Sequence, residues 1–447
     1  MRQLTWLLLL LTCAILANGL RVQHRREAYQ KAASSRASGT QEGQNHSPRA
    51  DPPGSYLASL PIRDGAQMAT YLTRSVNRRQ SKHAIIVIHG SLRDADNYWS
   101  VMNATVMAQI QAGNPNVDPN VVIAAPLFYS TNLNKGEYTS SQLAWGDINV
   151  WQAGEQSNHP KGVSVSSYEV MDNLIRYFSD KSRFPQIQNI TVAGHSGGAQ
   201  VSARLAAVLP SLPNVHVRFL VGDPSSNVYY THDRPITNTS MVDKAHCSLY
   251  NTWRYGFDKF DIKPYAGHEP TRYFRNYASR DVVNLAGLLD VENNGDQECM
   301  ALLQGGTQRV QRNLAFWKYI NLLGGTNLDV SGYPGNFSDV PNWKHHLSGP
   351  FQPRLIVAGN WSHDVEVFGS DEGVSALFDT DLISGWHPGD SPLFPISSNI
   401  TDTPVSSDAH SHLNSGTLAG HPLSMVTLCC IIWLGFLGYY STLFSYL

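Results

Sequence analysis

Charge is scarce in this 447-residue chain: Lys, Arg, Asp and Glu make up 15% of it. The 33 basic residues nearly cancel the 35 acidic ones, leaving a formal net charge of −2. Globular proteins usually carry about a quarter charged residues. The near balance argues against a nucleic-acid binder that relies on a basic surface. The thin charge suits a secreted, sugar-decorated protein better than a cytosolic one. Cysteine is scarce too, with five in all, of which Cys13, Cys429 and Cys430 lie in apolar terminal runs. There is no H-E-x-x-H pair, phosphate-binding loop or dinucleotide fingerprint, so neither metal nor cofactor is expected. No internal repeat is evident, and no charged residue follows Asp408. Apolar residues, by contrast, reach 42%, enough for a large core and too many for a disordered chain.

The ends read as targeting segments. Arg2 followed by the apolar run Leu4–Leu16 and the small residues Ala17-Asn18-Gly19 has the layout of a signal peptide over residues 1–19. Residues 20–54 are polar and without apolar periodicity, as expected of a disordered leader. Residues 384–421 form a Ser/Thr/Pro-rich linker. The apolar run in 422–447 is long enough to span a bilayer. With Asn414-Ser415-Gly416 and a spacer before it, it matches a glycosylphosphatidylinositol signal. A transmembrane helix is the alternative. Either way the protein is expected at the cell surface, attached to a membrane. Removing both ends leaves Cys247 and Cys299, expected as one disulfide in an oxidising compartment. Seven N-x-Ser/Thr sites occur. Asn45, Asn103, Asn189, Asn238, Asn336 and Asn399 are expected to carry glycans, and Asn360 is expected to carry none.

Between the tails, residues 55–383 alternate strand and helix signals. The apolar run His83–His89 reads as a strand buried on both faces. Further strands are expected at Val121–Ala125, Ile190–Ala193, Val215–Val221, Thr271–Tyr277 and Arg354–Ala358. Helices are expected at Asp96–Ala112, Ser166–Ser179, Ala199–Leu209 and Thr307–Leu323. The pattern predicts an α/β architecture, a mostly parallel sheet flanked by helices. Residues of about 223–270, too long for a crossover and rich in aromatics, are expected to form a cap. Aromatics there and in Trp145–Trp151 are read equally as cap core or as cleft lining.

The strongest chemical signal is Gly194-His195-Ser196-Gly197-Gly198, a G-x-S-x-G run with a buried strand before it and a helix of small residues after it. That context defines a nucleophile elbow presenting Ser196 on a strained turn. The helix N-terminus behind Ser196 favours developing negative charge. His89-Gly90-Ser91, after the first buried strand, is the matching loop for a second oxyanion donor beside Gly197. His89 itself is expected to be structural.

These residues resemble the α/β-hydrolase fold. The chain is similar to secreted microbial and fungal α/β-hydrolases of poorly defined substrate, over roughly residues 55–382. The matching stretches are His89–Trp99, Ala193–Gln200, Asp223–Tyr229 and His363–Phe368. Where that group often has Ala or another small residue in the elbow, this chain has Gly197 or Gly198. The resemblance implies chain order Ser, acid, His. It gives Ser196 as nucleophile, Asp281 as acid with Asp223 as the competitor, and His363 as base with His346 as the competitor. It implies oxyanion donors at Gly197 and at Gly90 or Ser91. The expected function is an acyl-enzyme serine hydrolase acting on small-molecule or polymer carboxylic esters. A catalytically inert surface-binding or adhesion protein on the same fold is the second reading.

Overall fold

The computed structural model describes residues 50–146, 150–236, 241–383 and 386–390. The expected signal peptide, most of the leader and linker, and the C-terminal apolar run lie outside these residues, as do Asn45, Asn238 and Asn399. No described helix is long and apolar enough to cross a membrane.

Ten strands and seven helices are described in chain order. They are β1 (Ser55–Pro61), β2 (Gln67–Thr73), β3 (His83–Ile88), α1 (Ala95–Gln111), β4 (Val122–Pro126), β5 (Tyr129–Ser130), β6 (Ala144–Trp145) and α2 (Ser167–Ser179). Then follow β7 (Asn189–His195), α3 (Gly197–Val208), β8 (His216–Gly222), α4 (Pro270–Ala278) and β9 (Asp281–Gly287). The chain continues through α5 (Cys299–Leu302), α6 (Arg309–Gly324), β10 (Arg354–Ala358) and α7 (Asp371–Phe378).

Eight strands form one sheet in the order β1-β2-β4-β3-β7-β8-β9-β10. The β1–β2 and β2–β4 pairs are antiparallel and all the others parallel. All six residues of β3 are buried, as covering both faces of a parallel sheet requires. Its alternation sends Ala84, Ile86 and Ile88 into one apolar core and Ile85 and Val87 into the other. The first core packs under α2, α3, α4 and α6; the second packs under α1 and α7.

Local sequence explains the helix ends. Ser166 caps α2 by accepting from the Glu169 amide at 3.0 Å. Gly325 closes α6 in the left-handed conformation, φ 56° and ψ 42°.

The expected strand at Thr271–Tyr277 is instead helix α4. Pro270 sits at its first turn, and Tyr273, Phe274, Tyr277 and Ala278 are buried along one helical stripe. The 223–270 segment is largely irregular. Its Val228, Tyr229, Tyr230, Phe257, Ile262 and Tyr265 belong to the first core, so packing accounts for them. Trp145 and Trp151 are fully buried for the same reason.

Candidate functional site

In a parallel sheet the loops leaving the strands' C-terminal ends gather along one edge, where ligand sites of this architecture form. The loops after β3, β7, β8, β9 and β10 carry the groups described here.

Ser196 stands between β7 and α3 with φ 57° and ψ −119°, a conformation L-residues rarely adopt. Its amide is held by the Gly222 carbonyl at 2.9 Å. The turn is possible because its neighbours lack side chains. A Cβ on Gly194 would stand 2.1 Å from the Gly198 carbonyl oxygen, and a Cβ on Gly198 would stand 2.1 Å from that of Ile88. The departure from Ala in this motif is therefore consequential at Gly198, where even a methyl group meets backbone. The first-turn amides of α3 have no partner within the helix and aim the helix's positive end at the elbow.

The Gly90–Ser91 loop lies directly on the serine. A Cβ on Gly90 would be 3.3 Å from Ser196 Cβ and 3.5 Å from its Oγ. His89, fully buried, holds this loop: its Nδ1 pairs with the Gly90 carbonyl at 2.7 Å and its Nε2 accepts the Phe128 amide at 3.0 Å. His89 is thus a neutral structural histidine, as the sequence suggests. The loop thus brings both amides named from sequence, Gly90 and Ser91, to the serine's side.

His363 follows β10. Its Nδ1 meets Oδ2 of Asp290 at 2.9 Å, and Oδ1 of Asp290 takes Nη1 of Arg309 at 2.9 Å. Nε of Arg309 in turn donates to Ser225 Oγ at 3.0 Å. Asp290 is buried, and this bidentate engagement compensates its charge. With Nδ1–H donated to the carboxylate, Nε2 of His363 keeps its lone pair for a proton. The His363 ring packs on that of His195, with centroids 4.6 Å apart, next to Ser196 in the chain.

Asp281, the acid expected from sequence, is not in this group. It opens β9 and pairs with Arg218, whereas the residue level with Ser196's end of β7 is Leu285, opposite Gly222. Four residues of strand separate the two levels, about 13 Å. Asp281 instead accepts from Arg218 Nε at 2.9 Å, contacts His216 Nε2 at 3.0 Å, and pairs with Arg354. Burial would raise its pKa, but the hydrogen bonds from His216, Arg218 and Arg354 prevail and hold it well below the usual carboxylate range. The carboxylate at the functional end of β9 is Asp290, which the sequence reading missed. Its signal was there: an Asp three residues past the buried run that ends at Gly287.

The competitor Asp223 does lie at the site, with φ 48°, after β8. Its Oδ1 accepts the Gly287 amide at 3.0 Å, while its buried Oδ2 has no hydrogen-bond partner. Burial, then the neighbouring Asp290, push its pKa well above the usual range. Asp290, not Asp223, makes the hydrogen bond to His363. His195 is fixed by Tyr98, whose hydroxyl meets Nδ1 at 3.0 Å, and burial drives its pKa down, so it is neutral. His195, Asp223 and His363 each bring one nitrogen or oxygen within 4.8 Å of the others, a spread that a divalent ion would have to contract. His346 lies before β10, in a short 3-10 turn at Lys344–His346.

Cys247 and Cys299 form a disulfide with Cα atoms 6.0 Å apart. Asn189, Asn336 and Asn360 are exposed, and Asn103 is part-exposed on α1.

The LpqC poly(3-hydroxybutyrate) depolymerase from Bordetella parapertussis superposes with a TM-score of 0.50 at 16% identity, over 74% of this chain and 92% of its own. Poly(aspartic acid) hydrolase-1 from Sphingomonas sp. KT-1 gives a TM-score of 0.46 at 15% identity, over 71% of this chain and 96% of its own. No family profile and no curated protein sequence matches the chain. The first likeness and the strand order together define the class: the chain has the α/β-hydrolase fold.

Proposed function

We propose that the protein is a serine hydrolase of carboxylic esters, acting through an acyl-enzyme at Ser196. The observation that carries this reading is the His363–Asp290–Arg309 hydrogen-bond chain, assembled beside a serine held at φ 57°. Nε2 of His363 accepts the Ser196 proton as Oγ attacks the ester carbonyl. Asp290 orients the ring and stabilises the imidazolium. The amides of Gly197 and Ser91 receive the developing oxyanion. The imidazolium returns its proton to the leaving alcohol, and water repeats the sequence on the acyl-enzyme. A fluorophosphonate probe followed by peptide mass spectrometry tests this. Label on Ser196, abolished in Ser196→Ala, supports the reading; label elsewhere or none overturns it.

The secretory route and the membrane tether belong to the same proposal, with residues 223–270 as a cap. The apolar ends, the sequons and the Cys247–Cys299 bond support the route. Release of the protein from cells by a phosphatidylinositol-specific phospholipase would favour the lipid anchor, and retention would favour a helix.

A further inference from the structure

Gly197, whose amide is the first oxyanion donor of the proposed mechanism, has no side chain, and its space is filled. Where its Cβ would stand, Nε2 of Gln152 lies 2.4 Å away. The carboxamide of a residue 45 positions earlier in the chain is thus laid against the Cα of the residue that follows the nucleophile. We propose that Gln152 is a third oxyanion donor, its side-chain N–H adding to the amides of Gly197 and Ser91. This rests on the acyl-enzyme reading of Ser196.

Two observations make the placement more than a packing accident. Gln152 is 5% exposed, and its backbone carbonyl accepts from Nη1 of the buried Arg204 at 2.9 Å, which holds the main chain from which the carboxamide projects. The residue before it, Trp151, stacks on Phe128 with centroids 4.8 Å apart and planes 14° apart, and its ring lies 4.8 Å from that of His89. His89 is the residue that holds the Gly90–Ser91 loop. One aromatic stack therefore ties the loop donor to the main chain beside Gln152. A donor set before the reaction begins stabilises a growing charge without reorganising. The amide donates a hydrogen bond only, so no bond is made or broken at Gln152. Glycine at 197 is part of the device, since any larger residue would displace the amide.

The test uses purified full-length protein, 4-nitrophenyl acetate as substrate and an aryl trifluoromethyl ketone as a mimic of the tetrahedral adduct. Fluorophosphonate labelling of the wild type comes first; failure there overturns the serine-hydrolase reading itself. With labelling established, Gln152→Met keeps volume and removes the N–H. The expected result is a fall in kcat of about 10²-fold with KM nearly unchanged. The ketone's affinity should weaken by a similar factor. Wild-type kcat in Gln152→Met, or a loss confined to KM, overturns the proposal. Should that variant lose its melting transition, Gly197→Ala serves instead, because it leaves Gln152 and the 197 amide in the chain while evicting the carboxamide. It should lose kcat and ketone affinity together; if it keeps both, the proposal falls.

Discussion

Nδ1 of His363 and Oδ2 of Asp290 meet at 2.9 Å across 73 residues of chain. Asp290 reaches this position because β9 ends three residues before it, at the same edge of the sheet as Ser196. Asp290→Asn should therefore lower kcat on a short-chain nitrophenyl ester by about 10³- to 10⁴-fold, by removing the charge that orients the imidazole. Asp281→Asn should keep kcat within a few-fold at 25 °C. Steady-state rates of the two variants decide the matter, and the opposite ranking would return the acid role to Asp281.

Asp281 should matter for stability instead. Its pKa is held below the unfolded carboxylate value, so its contribution is present above about pH 4 and is lost as pH falls through the folded value. Asp281→Asn should cost roughly 2–3 kcal/mol at pH 7, because Arg218 loses a buried partner. Urea titrations from pH 7 down to pH 2 should show the gap to wild type closing on the acid side. A constant gap would mean that the lost interaction is not ionic.

The elbow has almost no tolerance at Gly198. A methyl group there meets the Ile88 carbonyl oxygen at 2.1 Å, and strand β3 is buried on both faces and cannot retreat. Gly198→Ala should destabilise the protein by on the order of 3 kcal/mol and displace the Gly90–Ser91 loop that continues from Ile88. A melting temperature equal to wild type would contradict this.

Glycan occupancy should differ among exposed sequons. Asn189 begins β7, at the end of the strand away from Ser196, and Asn336 lies in an exposed loop. Asn360 is also exposed but stands three residues before His363. A bulky hydrated glycan there would crowd the loop that carries His363. Glycopeptide mass spectrometry should find Asn189 and Asn336 occupied and Asn360 bare in active protein; full occupancy at Asn360 would refute the crowding argument.

Much of this site was legible because its signals are local. The elbow combines a six-residue buried run ending at His195 with glycines at fixed offsets, and chain neighbours alone produce that geometry. His363 followed from a short strand and the loop after it. Asp290, the carboxylate that bonds His363, was missed through one misread element. Tyr273, Phe274 and Tyr277 have strand-favouring side chains, so α4 passed for a strand and moved the expected acid from the far end of β9 to its start. Their spacing, with Pro270 leading, was the better guide. The β1–β2 hairpin also escaped notice, although Asp64 and Gly65 at its turn both take positive φ. Gln152 has no sequence signature, since its place is created by an absent side chain 45 residues away.

The strand that delivers His363 is the last described in the sheet, five residues long and, among the described residues, paired on one side only, with β9. Ser196 follows a strand in the middle of the sheet, while His363, its proposed proton acceptor, follows the strand at the rim. Edge strands open at lower free energy than central ones. Warming should thus detach His363 while the serine turn is still intact, and the proposed esterase activity should fade several degrees before the main calorimetric transition. On cooling from that interval activity should return at once, because only one short strand has to be rejoined.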